Sequence, residues 1–323
     1  MAAESWQEIT GSIYGNPELS KKARLIARKS TRLMEAVDPP EEFALGKKSG
    51  DTVGFRLVGR LTDDSTTALG EFQKLPLTKP PIYHATGSVN RYGLAIAWTG
   101  SRADLDRLDV EDMNINVLKD QLALTINKLI STTLVAGRSY TYVAQTASTF
   151  TWATDGTVAQ TAAIAFSRFH ATKVVLKATQ VNMPPADGQN YFFFCSPEIE
   201  ADLLNDVSGN GYVDVAKYAS GGAEGVLNGE VGRVGRLRLI VDNDSNSVAQ
   251  GIGSGSAFGS GFILGAEAIR SIMVYPPEFR VNTNLGNDFG NQSGIAWQTL
   301  EGWKVPWNYT THGQGSVIHY TSA

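Results

Sequence analysis

Hydrophobic residues recur at two periods along this chain, and each change of period marks a new element. Leu19, Ala23, Ile26, Leu33 and Val37 fall on one face of a helix. Asn16-Pro17-Glu18 starts that helix with an N-cap, a proline at the first helical position and an acid in the first turn, and Asp38-Pro39-Pro40 stops it. Its apolar stripe is narrow, so it is expected to lie against a neighbour. From Asp51 the period falls to two: Val53, Phe55, Leu57 and Leu61 point one way, Thr52, Arg56 and Arg60 the other. A return strand with the same alternation is expected at Tyr92, Leu94, Ile96 and Trp98. Between them lie roughly 25 residues containing Asp63-Asp64-Ser65-Thr66-Thr67, Pro76 and Pro80-Pro81, too long for a structureless loop inside a compact domain, so an extended two-stranded arm is predicted. An isolated ribbon is marginal in water, and this one is expected to gain stability from contacts elsewhere.

Period 3.6 then returns. Ser101 is read as the cap of a helix opened by Asp104, Asp106 and Asp109, with Leu105, Leu108, Ile115, Leu118, Leu122, Ile126 and Leu129 as its stripe and Gly137 as its end. Such a rod of about 35 residues would be on the order of 50 Å long. Residues 138–159 are expected to form a hairpin or loop, and 160–181 a helix ended by Pro184-Pro185. Tyr191-Phe192-Phe193-Phe194-Cys195 reads as a fully buried strand, and Ser196-Pro197-Glu198 starts a short helix through Leu203 and Leu204. NGEVGRVGRLRLIV (228–241) reads as a loop entering a strand, GFILGAEAI as a return to the core, and the stretch holding Trp297, Trp303 and Trp307 as β structure. The predicted class is α+β.

Composition narrows the function. With 323 residues, 42% hydrophobic and 19% charged, the chain can bury a real core, in two modest domains or in one with large extensions. A net charge of −4 argues against a dedicated nucleic-acid binder. Residues 21–32 nonetheless carry Lys21, Lys22, Arg24, Arg28, Lys29 and Arg32 with no acid among them. That basic run either faces nucleic acid or an acidic patch on a neighbour, or is a solvated face; the sequence leaves both open. Cys195 is the only cysteine, so no disulfide within the chain and no cysteine-based zinc site is expected. MAAESWQEIT lacks the features of a secretory signal, and no run approaches eighteen apolar residues, so a reducing, aqueous compartment and no membrane contact are expected.

Catalytic chemistry finds little support. GIGSGSAFGSG (251–261) fits neither a P-loop nor a dinucleotide fingerprint, and a plain turn is the better reading. Asp242, Asp244 and Asn246 imitate the opening of a calcium loop, but Ser247 and Gly253 stand where it needs Gly and Glu. His84, His170, His312 and His319 are dispersed and are read as satisfied surface or core residues. Cys195, inside an aromatic strand, reads as a small buried hydrophobe. Arg102–Asp106 and Arg107–Glu111, at helical i,i+4 spacing, read as a solvated or intersubunit salt-bridge face. No cofactor is expected.

The order of these parts resembles the major capsid proteins of tailed bacteriophages. YFFFCSPEIEADLLND, NGEVGRVGRLRLIVDND, GFILGAEAI and the tail NDFGNQSGIAWQTLEGWKVPWNYTTHGQGSVIHY resemble corresponding stretches of one branch of that family. With the long helix, the resemblance covers the chain from about residue 50 to its end.

The resemblance implies an N-terminal arm at 1–45 and an extended loop at 46–100 that lies over a neighbouring subunit. It implies a peripheral domain at 101–185 and 262–323 carrying the spine helix, and an inserted axial domain at 186–261. The implied function is a coat protein that self-assembles into hexamers and pentamers of an icosahedral shell enclosing double-stranded DNA, assembled in the host cytoplasm and located in the virion. Implied partners are many copies of the chain itself, portal and scaffolding proteins, a decoration protein, and packaged DNA in non-specific contact. Arg56, Arg60, Glu71, Lys74, Arg102 and Asp106 are the candidate intersubunit contacts, and Arg24, Arg28 and Arg32 the candidate contacts to the lumen or a neighbour. The alternatives are a hydrolase with a dispersed active site, or another phage structural part such as a decoration protein.

Overall fold

Ile295 and Trp297 alternate with polar or small neighbours along one strand, and their shared inward face is buried. The computed structural model describes residues 32–38, 52–59, 61, 68–75, 77–105, 109–144, 146, 149–153, 165–205, 230–242, 260–283, 285 and 291–322. A four-stranded sheet runs in the order β1 (Val37–Asp38), β11 (Ile269–Asn282), β12 (Gln292–Lys304), β4 (Asn90–Thr99). β1 joins β11 in parallel, and the other pairs are antiparallel. Ile295 and Trp297 of this sheet bury with Trp98, and with Val110 and Leu118 of the long helix α2 (Val110–Gly137).

A second sheet has seven strands in the order β6 (Phe150–Ala153), β5 (Tyr140–Ala144), β13 (Val317–Ser322), β10 (Ser260–Leu264), β7 (Tyr191–Cys195), β9 (Leu237–Val241), β8 (Glu230–Val234). It is covered on two sides. Phe193, Cys195, Tyr142 and Tyr320 pack with Ala171, Val174 and Ala178 of α3 (Arg168–Gln180) and with Ile199 and Leu203 of α4 (Pro197–Asn205). Phe194, Ile240, Phe262 and Val317 pack instead with Ile126, Ile130 and Leu134 of α2, and with Leu33. The first half of α2 therefore packs on the four-stranded sheet, and its second half on the seven-stranded sheet together with Ile269 and Trp303 of the first, across a helix about 42 Å long.

Several expectations are corrected. The long helix is not one rod from Ser101: α1 (Gly100–Leu105) is separate, and α2 has its N-cap at Asp109. The Asp109 carboxylate accepts the backbone N–H groups of Glu111 and Asp112 at 3.1 and 3.2 Å, which fixes a helix start there. The return strand of the arm is β3 (Ile82–Ser88), which pairs with β2 (Thr52–Val58), while Tyr92–Trp98 belongs to β4 and pairs with β12. The helix expected at 160–181 begins at Arg168, because the Phe166 N–H donates to the Asp202 carboxylate at 2.8 Å rather than to a helical carbonyl. The glycine-spaced stretch is a hairpin, β8 to β9, turning at Gly235 with φ +60°. The expected N-terminal helix lies outside the described residues up to 31; Leu33–Ala36 form a 3-10 turn and Val37 is already extended. The hairpin at 140–153 and the buried strand at 191–195 are as expected.

Candidate assembly interface

The β2–β3 hairpin holds Val53, Phe55 and Leu57 on its inner face and Gly54, Arg56 and Val58 on its outer one, as the period of two requires. The inner face packs on Ala85, Val89 and Ile272, with Tyr83 and Trp307 at its margin. Two glycines allow this approach. A Cβ on Gly302 would meet the Ser88 carbonyl oxygen, and one on Gly87 would meet the Ile272 side chain at 2.5 Å. The backbone of the hairpin thus touches the four-stranded sheet where side chains would hold it off. Beyond the hairpin, Gly59 N–H donates to the Pro81 carbonyl at 2.8 Å and the chain runs out to a tip.

At the tip the usual rule of burial is reversed. Phe72 is 96% exposed, Leu77 99% and Leu75 74%. Phe72 is held in a turn closed twice by Gln73, whose N–H donates to the Gly70 carbonyl at 3.0 Å and whose side-chain oxygen accepts the Gly70 N–H at 3.3 Å. Glu71 and Lys74, two of the candidate contacts, are exposed on either side of Phe72. Large apolar groups presented to water side by side are a feature of interaction surfaces.

A groove of about 590 Å³ runs along the base of the hairpin between Gly54–Val58 and the residues Glu267, Arg270, Pro306 and Trp307. Arg56, exposed and opposite His84 in register, stands on its rim. Across from it, Arg270 and Glu267 form an ion pair of 3.2 Å. Behind the groove Asp38 lies opposite Arg270. Burial raises the Asp38 carboxyl above the usual carboxylate range, Arg270 pulls it back, and Glu267 pushes it up further.

The candidate residues are therefore distributed unevenly. Arg56 is on the groove, and Glu71 and Lys74 are on the tip. Arg24, Arg28, Arg60 and Asp106 lie outside the described residues, as does the side chain of Arg102, whose backbone is in α1. Arg32 is partly buried, and its backbone N–H donates to the fully buried Asp242 at 3.1 Å. Reading for charge passed over Phe72, Leu75 and Leu77; their signal was a run of large apolar residues, with Leu69 before them, in a proline-marked stretch.

Three of the four histidines and the cysteine pack into the structure, while His84 is exposed on β3, and His319 is buried with neither ring nitrogen hydrogen-bonded. His170 is buried and its Nδ1 lies 2.6 Å from the Tyr142 hydroxyl; burial lowers its pKa to about 4. His319 stacks on Phe262 at 5.1 Å, and burial, with Arg138 nearby, lowers its pKa to about 3. His312 accepts the Asn308 N–H at 3.0 Å and packs its ring against Tyr83. Cys195 is buried, and desolvation pushes its thiol well above the usual range. Among the described residues no group of three His, Cys, Asp or Glu side chains could hold a metal, and no helix is long and apolar enough to cross a membrane.

No family model and no curated protein matches the chain. Solved structures do. A chain of the cyanophage Pam1 capsid asymmetric unit is 14% identical, with 98% of this chain and 99% of that one covered at a TM-score of 0.67. The capsid of Ralstonia phage GP4 gives 16% identity, coverage of 99% and 98%, and a TM-score of 0.66. The head of Helicobacter pylori bacteriophage KHP40 gives 12%, coverage of 96% and 98%, and 0.67. The mixed α+β fold of this chain is that of tailed-phage capsid structures.

Proposed function

We propose that this chain is the major coat protein of a bacteriophage head, structural rather than catalytic. Many copies assemble as hexamers and pentamers into an icosahedral shell that encloses double-stranded DNA in the virion. The observation that carries the reading is that the likeness to phage capsid chains runs end to end, over 98% of this chain and 99% of the Pam1 chain. The exposed tip gives it a physical reason: an arm with its apolar groups in water couples folding to association, because covering them is favourable only in an assembly. A shell needs many such repeated, individually modest contacts.

Within this reading, residues 1–45 are the arm and 46–100 the loop over a neighbour, each lending one strand, β1 and β4, to the four-stranded sheet that makes the peripheral region with α2. The axial region is the seven-stranded sheet. Because β5, β6, β10 and β13 pair into that sheet, we place them with residues 186–261. Arg56, Arg60, Glu71, Lys74, Arg102 and Asp106 are assigned to subunit contacts, and Arg24, Arg28 and Arg32 to the lumen or a neighbour. Portal, scaffolding and decoration proteins are the further partners, and packaged DNA is touched without sequence preference.

Negative-stain electron microscopy with light scattering tests the proposal, on the chain expressed alone and with its genomic neighbours. Closed shells, or free hexamers and pentamers, are the expected result. A monodisperse monomer or dimer under every condition would overturn it.

A further inference from the structure

Between the seven-stranded sheet and α3 lies a row of oxidisable rings to which the shell reading gives no role. Tyr140 and Tyr142 of β5 point to the same side of the sheet, and Trp152 stands opposite Tyr142 in register on β6. Ring centroids are 5.7 Å apart from Tyr309 to Tyr140, 6.3 Å from Tyr140 to Trp152, and 4.8 Å from Trp152 to Tyr142. Tyr309, Tyr140 and Trp152 are partly exposed, while Tyr142 is fully buried, so the row runs from solvent to the core.

The row ends on a base. The Tyr142 hydroxyl lies 2.6 Å from His170 Nδ1, and both residues are shut away from water. Burial keeps the imidazole neutral at pH 7, with one ring nitrogen left as an acceptor, and pushes the Tyr142 phenol above its usual range. Bulk water cannot take the phenol proton there, but Nδ1 is within proton-transfer distance. Charge gives the row a direction. The Lys177 ammonium sits 4.2 Å from the Tyr140 ring centroid and 5.3 Å from that of Trp152. A cation over a ring makes it harder to remove an electron from that ring. Among the described residues no lysine or arginine lies over Tyr142, so an electron vacancy is driven inwards.

We propose that Tyr142 and His170 form a redox-active pair, to which Tyr309, Tyr140 and Trp152 relay oxidising equivalents from the surface. A one-electron oxidant in solution, of the carbonate-radical class, takes an electron from the outer rings. The Trp152 cation radical then takes an electron from Tyr142, whose O–H bond breaks as its proton passes to Nδ1. The products are neutral Trp152, a neutral tyrosyl radical and a His170 imidazolium. An electron from a thiol or enediol reductant returns along the same rings, and the proton goes back to the phenol oxygen. A radical buried at Tyr142 cannot couple with a ring on another molecule, so oxidation is held where it does not cross-link chains. This activity is independent of the shell reading.

Photochemical oxidation of the full chain tests it. Thr310→Cys, exposed beside Tyr309, carries a ruthenium tris-bipyridine maleimide, and buried Cys195 stays unlabelled. Flash excitation with a cobalt(III) pentaammine quencher is followed by transient absorption and electron paramagnetic resonance. A tryptophanyl signal is expected to give way to a long-lived tyrosyl signal, more slowly in D2O than in H2O. Tyr142→Phe removes only the hydroxyl, and is expected to keep the tryptophanyl signal and lose the long-lived tyrosyl one. His170→Gln keeps a hydrogen-bond acceptor but not a base, and is expected to lose the long-lived signal too, as is Trp152→Phe. A long-lived tyrosyl signal that survives Tyr142→Phe would place the radical elsewhere. One that survives His170→Gln, or that forms equally fast in D2O, would remove the base, and a parent with no tyrosyl signal would remove the relay. Each of these overturns the inference, and the isotope measurement on the labelled parent decides it even where a variant fails to fold.

Discussion

The Trp297 indole N–H donates to the Gln121 side-chain oxygen at 2.7 Å, joining the first half of α2 to the middle of β12. Trp297 is almost completely buried, so this one bond orients the largest side chain under the helix. Gln121 also donates to the Thr125 hydroxyl at 2.7 Å one turn on, which holds its amide in place.

Gln121→Leu leaves the indole N–H without a partner and is expected to destabilise the chain by about 1–3 kcal/mol. Trp297→Phe removes the donor as well as volume. In a double-mutant cycle read by urea unfolding, the pair is expected to cost less than the sum of the two single variants. Strict additivity would show that the bond contributes nothing.

Gly302→Ala is expected to lift the β2–β3 hairpin from the four-stranded sheet, because the new methyl group meets the Ser88 carbonyl oxygen, a backbone atom with little room to move. Overpacking of this kind costs about 1–3 kcal/mol. Limited proteolysis should show faster cleavage within 59–81 in the variant, with cleavage elsewhere unchanged.

Acid should weaken the fold through His170. Its pKa falls from 6.5 to about 4 on folding, so the unfolded chain binds the extra proton between those values. The stabilising contribution is complete above pH 6.5 and is lost as pH falls towards 4, by about 3 kcal/mol in total. His319 adds a loss of the same sign that continues to about pH 3. His170→Gln is expected to flatten the dependence of urea unfolding between pH 6.5 and 4; an unchanged slope would assign it to other groups.

Glu301 has the opposite sign. It is buried on β12, and desolvation raises its carboxyl pKa from 4.5, partly offset by a hydrogen bond from Thr299. Its contribution is present below pH 4.5 and is lost as pH rises through the raised value. Glu301→Gln is expected to stabilise the chain at pH 7 and to do little at pH 4, measured as the shift in Tm at each pH. Destabilisation at pH 7 would mean that the carboxylate has a partner the amide cannot replace.

Local order was readable where one short stretch carries its own signal. The alternation of Val53, Phe55 and Leu57 identified the inner face of β2, and the run Tyr191–Cys195 identified a buried strand. The start of the long helix is ambiguous in the sequence because Ser101 and Asp109 are both good caps, and Asp109 is the one that closes bonds to the following N–H groups. β3 was missed because its inward positions include Ala85 and Gly87, which carry no hydropathy signal; they are small because Ile272 and the four-stranded sheet come close.

The likeness of the order of parts to phage coat proteins came from a family resemblance; by itself the amino-acid sequence determined the α+β class, the inner face of β2, the buried strand Tyr191–Cys195 and the apolar stripe of α2. These follow from side-chain spacing within a few residues. Tertiary structure decided which strands pair, how α2 divides between two sheets, and that the groove brings Arg56 beside Glu267, Arg270 and Trp307. Strand order and grooves depend on contacts between residues distant in the chain, as Val37 and Ile269 are, and on small residues whose value lies in the space they leave, so no local pattern records them.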